Sequence, residues 1–94
     1  MNIKKEDIVK ISKALSDKTR IRILKEIARK GCISCGDAEK IAELSQPTVS
    51  HHLKILTDAG LLNAVKSGRH ITVTVNKKAL KEFTSAISTE FRLK

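Results

Sequence analysis

Ninety-four residues, 40% hydrophobic and 31% charged, make one domain (1–94) with one modest core rather than a disordered chain. The two aromatics, Phe83 and Phe91, leave no stacking platform, which argues against single-strand binders of the cold-shock or RRM kind. The net charge is +9, with ten Lys/Arg against four Asp/Glu in residues 1–30 (+6), two against four in 31–62 (−2) and seven against two in 63–94 (+5). That distribution suits a polyanion gripped at both flanks while the middle of the chain does something other than neutralise charge. The plainer alternative is a soluble basic surface. No run exceeds two consecutive apolar residues, so neither a membrane span nor a signal peptide is expected, and two cysteines without a secretion signal fit a reducing, cytoplasmic setting.

Taken in order, residues 3–14 carry Ile8 and Ile11, with Leu15 beyond, at helical spacing. "SDKTRIRILKEIARKG" reads as a second helix, capped by Ser16 or Asp17, with Ile21, Leu24, Ile27 and Ala28 on one apolar face and Gly31 as its stop. "SCGDAEKIA" offers a capping box, Ser34 with Asp37 three residues on, for a short helix ending near Ala42. After the turn "ELS", Ser45 caps a fourth helix, Pro47 fits its first turn and Gly60 ends it. The period then changes from 3.6 to 2: "LLNAV", "KSGR" and "HITVTV" read as strand, turn and strand, with Ile71, Val73 and Val75 on one face and Thr72 and Thr74 on the other. From about Asn76 the pattern is helical again, with Leu80, Phe83, Ile87 and Phe91 in a stripe. The expected fold is mainly α with a β-hairpin wing, a winged helix-turn-helix in the order α-α-α-α-β-β-α.

A helical wheel over 46–56 puts Val49, His52, Leu53 and Leu56 on one side and Pro47, Ser50, His51 and Lys54 on the other, with Gln46 and Thr48 at its edges. The second side is a surface of short hydrogen-bonding groups with one positive charge. Such a surface approaches a groove closely; Gln bonds adenine in bidentate fashion and Ser and Thr are permissive partners. An ordinary solvated face is the competing reading, and the preceding helix and tight turn favour the reading helix. His52 is expected to be a hydrogen-bonded structural residue; His51 faces outward. In the wing, Lys66, Arg69 and His70 surround a Gly turn, a shape suited to the minor groove or a flanking phosphate.

The residues "ALSDKTRIRILKEI", "LSQPTVSHHLKILTDAGLL" and "KSGRHITVTV" resemble the second helix, recognition helix and wing of the ArsR/SmtB winged-helix repressors, a similarity running from about residue 11 to residue 83. The resemblance implies a homodimeric cytoplasmic transcriptional repressor that leaves its operator when an effector binds. Many metal-sensing members carry two thiols just before a helix Asp; aligned on Asp37, those positions are Ser34 and Gly36 here. Another group binds zinc through Asp and His on the last helix, and residues 76–94 contain neither. No metal or cofactor is therefore assigned.

Cys32 and Cys35 are spaced C-x-x-C. Cys35, at a helix start, favours a thiolate, and Cys32 lies close enough to resolve a sulfenate into a disulfide, which would strain the helix leading to the reading motif. Two small buried fillers are the simpler alternative. Against the DNA-binding reading stand a thiol-redox or metal-handling protein centred on this pair, and a winged-helix module docking RNA or protein. Thioredoxin-type use wants a βαβ context and structural zinc four ligands; no acid/base pair, Ser-His-Asp arrangement or phosphate-binding Gly loop points to an enzyme. The expected partners are an imperfect palindrome in double-stranded DNA and a second copy of the chain, with Ile8, Ile11, Phe83, Ile87 and Phe91 forming the dimer interface.

Overall fold

Local signals place most element ends. The structure, a computed structural model, describes residues 3–42 and 45–93, without the side chains at positions 35, 39, 41, 42 and 46. Among these residues the order is α1 (Lys5–Ala14), α2 (Lys18–Lys30), β1 (Cys32–Ser34), α3 (Cys35–Ala42), α4 (Gln46–Asp58), β2 (Leu62–Ser67), β3 (His70–Val75) and α5 (Lys77–Glu90). Asp17, not Ser16, caps α2: its Oδ1 accepts from the N–H groups of Thr19 (2.8 Å) and Arg20 (3.1 Å). The Ser16 hydroxyl instead donates to the Lys13 carbonyl at 2.6 Å. Ser34 Oγ accepts from the Asp37 N–H at 3.1 Å and opens α3. α4 ends in a Schellman turn, with Leu61 N–H on Leu56 O (3.0 Å), Gly60 N–H on Thr57 O (2.9 Å) and Gly60 at φ 82.

The cap on α2 carries a pH dependence. The Asp17 carboxyl is held below its ordinary 3.8, chiefly by the Arg20 N–H, with the Thr19 N–H and the Arg20 charge adding to it against partial burial. A carboxyl depressed in the folded state stabilises fully above its unfolded value and loses that contribution as pH falls through the folded one. Asp17→Asn keeps the acceptor without the charge. It is expected to be less stable than wild type at about pH 7 and to converge on it in acid, as pH falls through the lowered carboxyl of the folded state, in urea unfolding followed across that range. A constant difference across that range would remove the charge from the account.

The element absent from the expected order is β1. It lies antiparallel to β3, with Cys32 opposite Thr74, Ile33 opposite Val73 and Ser34 opposite Thr72, so the sheet runs β1-β3-β2 and is three-stranded. β2 pairs with β3 from Leu62↔Val75 to Ser67↔His70. Ile33 and Val73 face inward and are buried, whereas Cys32 faces away and is exposed.

The core sits where α1, α2 and α4 meet the inner sheet face. Ile23, Ile27, Leu56 and Leu61 have no exposure at all; each such side chain stabilises by about 1.5–3 kcal/mol relative to leaving it in water. The expected apolar face of α2 was displaced. Ile23, Leu24 and Ile27 are its buried residues, while Ile21 is 38% exposed and Ala28 also faces water. The buried arc extends through Arg20, not Ala28, because an arginine stem packs as an apolar rod when its head finds acceptors. The opposite face carries Lys18, Arg22, Lys25 and Arg29, all exposed. Ile11, expected at a dimer interface, is 4% exposed and belongs to this core, so a partner has nothing left to bury there.

Candidate nucleic-acid interface

α4 is built to present one side. Val49, Leu53 and Leu56 are buried beneath it and His52 is half-buried, as the wheel predicts. Pro47, Thr48, Ser50, His51 and Lys54 are exposed on the other side. Gln46 is the first residue of the helix, and its side chain lies outside the described residues. Ser45 occupies the N-cap position, but its hydroxyl meets the Thr48 hydroxyl at 3.1 Å rather than a backbone N–H. Pro47 accounts for part of this: it removes the N–H two residues into the helix that a serine cap commonly bonds.

The pose of α4 is fixed at two further points. At its C-terminal end, Asn76 Nδ2 donates to Gly60 O (3.1 Å) and the Asn76 N–H to Leu61 O (2.9 Å), while Asn76 Oδ1 caps α5 by accepting from Ala79 N–H (3.1 Å). Midway along, Arg20 Nη1 meets His52 Nδ1 at 3.2 Å. The same guanidinium donates through Nε to Ala14 O (2.7 Å) and through Nη2 to Lys13 O (3.3 Å). Arg20 and Asn76 escaped the sequence reading.

The wing is a hairpin closed by Gly68 and Arg69, with Gly68 at φ 61 in the first position of the two-residue turn, where a side chain would be strained. Lys66, Arg69 and His70 are exposed around it; Lys66 lies within β2, opposite Ile71, rather than in the turn. Among the described residues, no acidic side chain pairs with Lys54, Lys66 or Arg69; the ion pairs found are Lys5–Glu90 and Arg29–Glu26. A groove-shaped polyanion is thus offered one face of hydrogen-bonding groups and a protrusion of unneutralised cations.

The family described as "Helix-turn-helix domain" matches residues 15–65, more than half of the chain. A cadmium resistance transcriptional regulatory protein CadC homolog of Staphylococcus aureus is 33% identical over 81% of this chain. The alignment covers 63% of that protein, so the chain spans just under two thirds of its length. The transcriptional repressor SdpR of Bacillus subtilis is 33% identical over 77% of this chain and 79% of its own. The solved structure of an ArsR-like transcriptional regulator from Rhodococcus sp. RHA1 is 28% identical with TM-score 0.79, over 93% of this chain and 84% of that one. The chain belongs to the ArsR family of winged helix-turn-helix transcriptional regulators.

In this ArsR-family chain the terminal helices pack together and leave an open groove of about 490 Å³ floored by Ile8 and Ala86 and spanned by the Lys5–Glu90 pair at 3.8 Å. Ile8, Phe83 and Ile87 are half-buried; Leu80 and Phe83 lean on the core. Phe91 is 65% exposed at the end of α5, beside Leu93 at 58%, and Val9 on α1 is 52% exposed. Cys32 is exposed on β1 and Cys35 is the first residue of α3, with its side chain outside the described residues. Among the described residues no three His, Cys, Asp or Glu side chains gather as a metal would require, and no helix is long and apolar enough to cross a membrane.

Proposed function

We propose that the chain is a cytoplasmic, homodimeric repressor, not an enzyme, that reads an imperfect palindrome in duplex DNA. α4 enters the major groove and the wing meets the minor groove or a flanking phosphate. The observation that carries this reading is the exposed face of α4, from Thr48 to Lys54, set beside Lys66 and Arg69 without acidic partners. The names of relatives support repression: besides SdpR, an arsenical resistance operon repressor of Bacillus subtilis is 39% identical over 60% of this chain. Dimer formation is supported by the apolar side chains of Val9, Phe91 and Leu93 left in water at the α1–α5 end, and by a similar fold in a homodimeric domain from Mycobacterium bovis (TM-score 0.74, 20% identity, 90% of this chain and 79% of that one). Ile8, Phe83, Ile87 and Phe91 are its proposed contacts.

A two-fold dimer sets two reading helices roughly 34 Å apart, one turn of DNA. Duplexes selected from a random library are therefore expected to carry two inverted half-sites at that spacing, and light scattering to give twice the chain mass at micromolar concentration. Lys66→Ala and Arg69→Ala are each expected to weaken selected and random duplexes alike and to flatten the salt dependence by about one ion. Gln46→Ala or His51→Ala should chiefly cost discrimination, about 1–3 kcal/mol. A monomer, or selected sequences without symmetry, would overturn the reading.

Cys32 and Cys35 are the proposed oxidation switch. Peroxide takes two electrons and two protons from the thiol pair, giving a disulfide and two waters. Since Cys32 sits in β1 and Ser34 caps α3, the ring closes across the strand–helix junction. Peroxide should then remove both alkylatable thiols and lower operator affinity at least about tenfold, with Cys35→Ser protected. A fully formed disulfide with unchanged affinity would exclude the switch.

A further inference from the structure

We propose that Arg20 and His52 form a latch that fixes the roll of α4 about its own axis, making them positioning residues for base reading. The latch presupposes that α4 is the reading helix. An arginine head is always charged, carries five donors and no acceptor, and holds them in a rigid planar fork. At the 3.2 Å contact Arg20 Nη1 therefore donates and His52 Nδ1 accepts, which leaves the imidazole neutral with its proton on Nε2. The other two arms of the fork end in the last turn of α1, at the negative end of its dipole: Nε on the Ala14 carbonyl at 2.7 Å and Nη2 on the Lys13 carbonyl at 3.3 Å, which also accepts from the Ser16 N–H (3.2 Å) and hydroxyl (2.6 Å). Asp17 faces the pair from the start of α2, holding the Arg20 N–H at 3.1 Å, and the His51 ring lies 6.1 Å from the His52 ring. One planar group thus measures the position of α4 against the end of α1.

Apolar packing does not do this job by itself. Val49, Leu53 and Leu56 set how deeply α4 sits, but hydrophobic contact is non-directional and tolerates rotation. Side-chain tips lie about 5–6 Å from a helix axis, so a roll of about 20° carries them about 2 Å. A hydrogen bond to a base edge tolerates only a few tenths of an ångström around 2.9 Å. The latch acts on sequence discrimination and leaves non-specific attraction, which rests on net charge, unchanged.

Three substitutions at His52 separate this from a merely structural role. In His52→Asn the amide oxygen stands the same number of bonds from Cα as Nδ1; in His52→Gln it stands one bond further; His52→Leu has no acceptor. Affinities are measured for a duplex selected by the wild type and for random duplex of equal length, with urea midpoints alongside. The Asn variant should keep the wild-type ratio of the two affinities within about threefold, while Gln and Leu should lose about tenfold or more of it, random-duplex affinity staying level. Arg20→Lys, with the charge but not the fork, should lose the ratio as Leu does. In the free Leu variant, residual dipolar couplings should report a rotated α4. A Leu variant with an unchanged ratio, or an Asn variant falling as far as Leu, overturns the latch even if selected DNA is bound tightly. A wild type that selects no duplex overturns the operator reading, and the latch with it.

Discussion

Ser50→Glu is expected to lower affinity for selected and random duplexes alike by at least about a hundredfold, measured by fluorescence anisotropy. Ser50 is exposed on the outward side of α4, between Pro47 and Lys54. A carboxylate there is driven among phosphates, and like charges brought together at an interface cost several kcal/mol, on top of about 1–3 kcal/mol for a lost base contact. A symmetric dimer meets the penalty twice. The fold should not notice, because glutamate is a good helix former and the position is exposed. An unchanged urea midpoint with binding gone is the expected pair of results. Affinity retained within about threefold would mean that α4 stays outside the groove.

Leu56→Ala should cost about 3–4 kcal/mol of folding stability, the middle of the range for a buried leucine. Leu56 has no exposure, packs from α4 into the core and supplies the carbonyl that closes the Schellman turn through Leu61, itself fully buried. Beneath a reading surface little can collapse into the space left, since helices border it on one side and the sheet on the other. A chain of this size has about 5–14 kcal/mol in total, so the variant gives up a large share of it. Urea unfolding at fixed protein concentration should show a lower midpoint with the same slope, the fixed concentration being needed because dimerisation adds to apparent stability. A loss under about 1 kcal/mol would place Leu56 in a looser site than its burial implies.

Features written in local code were legible before any coordinates. Asp17, Ser34, Gly31 and Gly60 act on groups two to four residues away, and the period of 46–56 depends only on that segment. Features made by distant partners were not. β1 is three residues long, too short to show a period, and becomes a strand only because Val73 lies opposite Ile33, forty positions further on. On α2 the apolar residues alone fit two overlapping arcs, the expected one through Ile21, Leu24, Ile27 and Ala28 and the observed one through Ile23, Leu24 and Ile27. Arg20 decides between them, through carbonyls of α1 and a histidine of α4 that its own sequence neighbourhood does not mention. Ile11 failed for the related reason that a periodic apolar stripe says which side is covered, not by what.

The short strand β1 has a mechanical consequence for the wing. It braces β3 only at Thr72, Val73 and Thr74, whereas β2 runs alongside β3 to His70. From Lys66 to Ile71 the hairpin is a two-stranded ribbon, exposed throughout, projecting from a three-stranded root. It is a cantilever: stiff where β1 clamps it, compliant towards Gly68, with Arg69 at the free end. Two-stranded ribbons carry a larger twist than wider sheets, so the tip at Arg69 is held by less of the sheet than α4 is held by its contacts at His52 and Asn76. In the proposed complex, α4 would act as a fixed gauge and the wing as a sprung probe, a pairing suited to demanding a sequence at one contact while accepting variable groove width beside it.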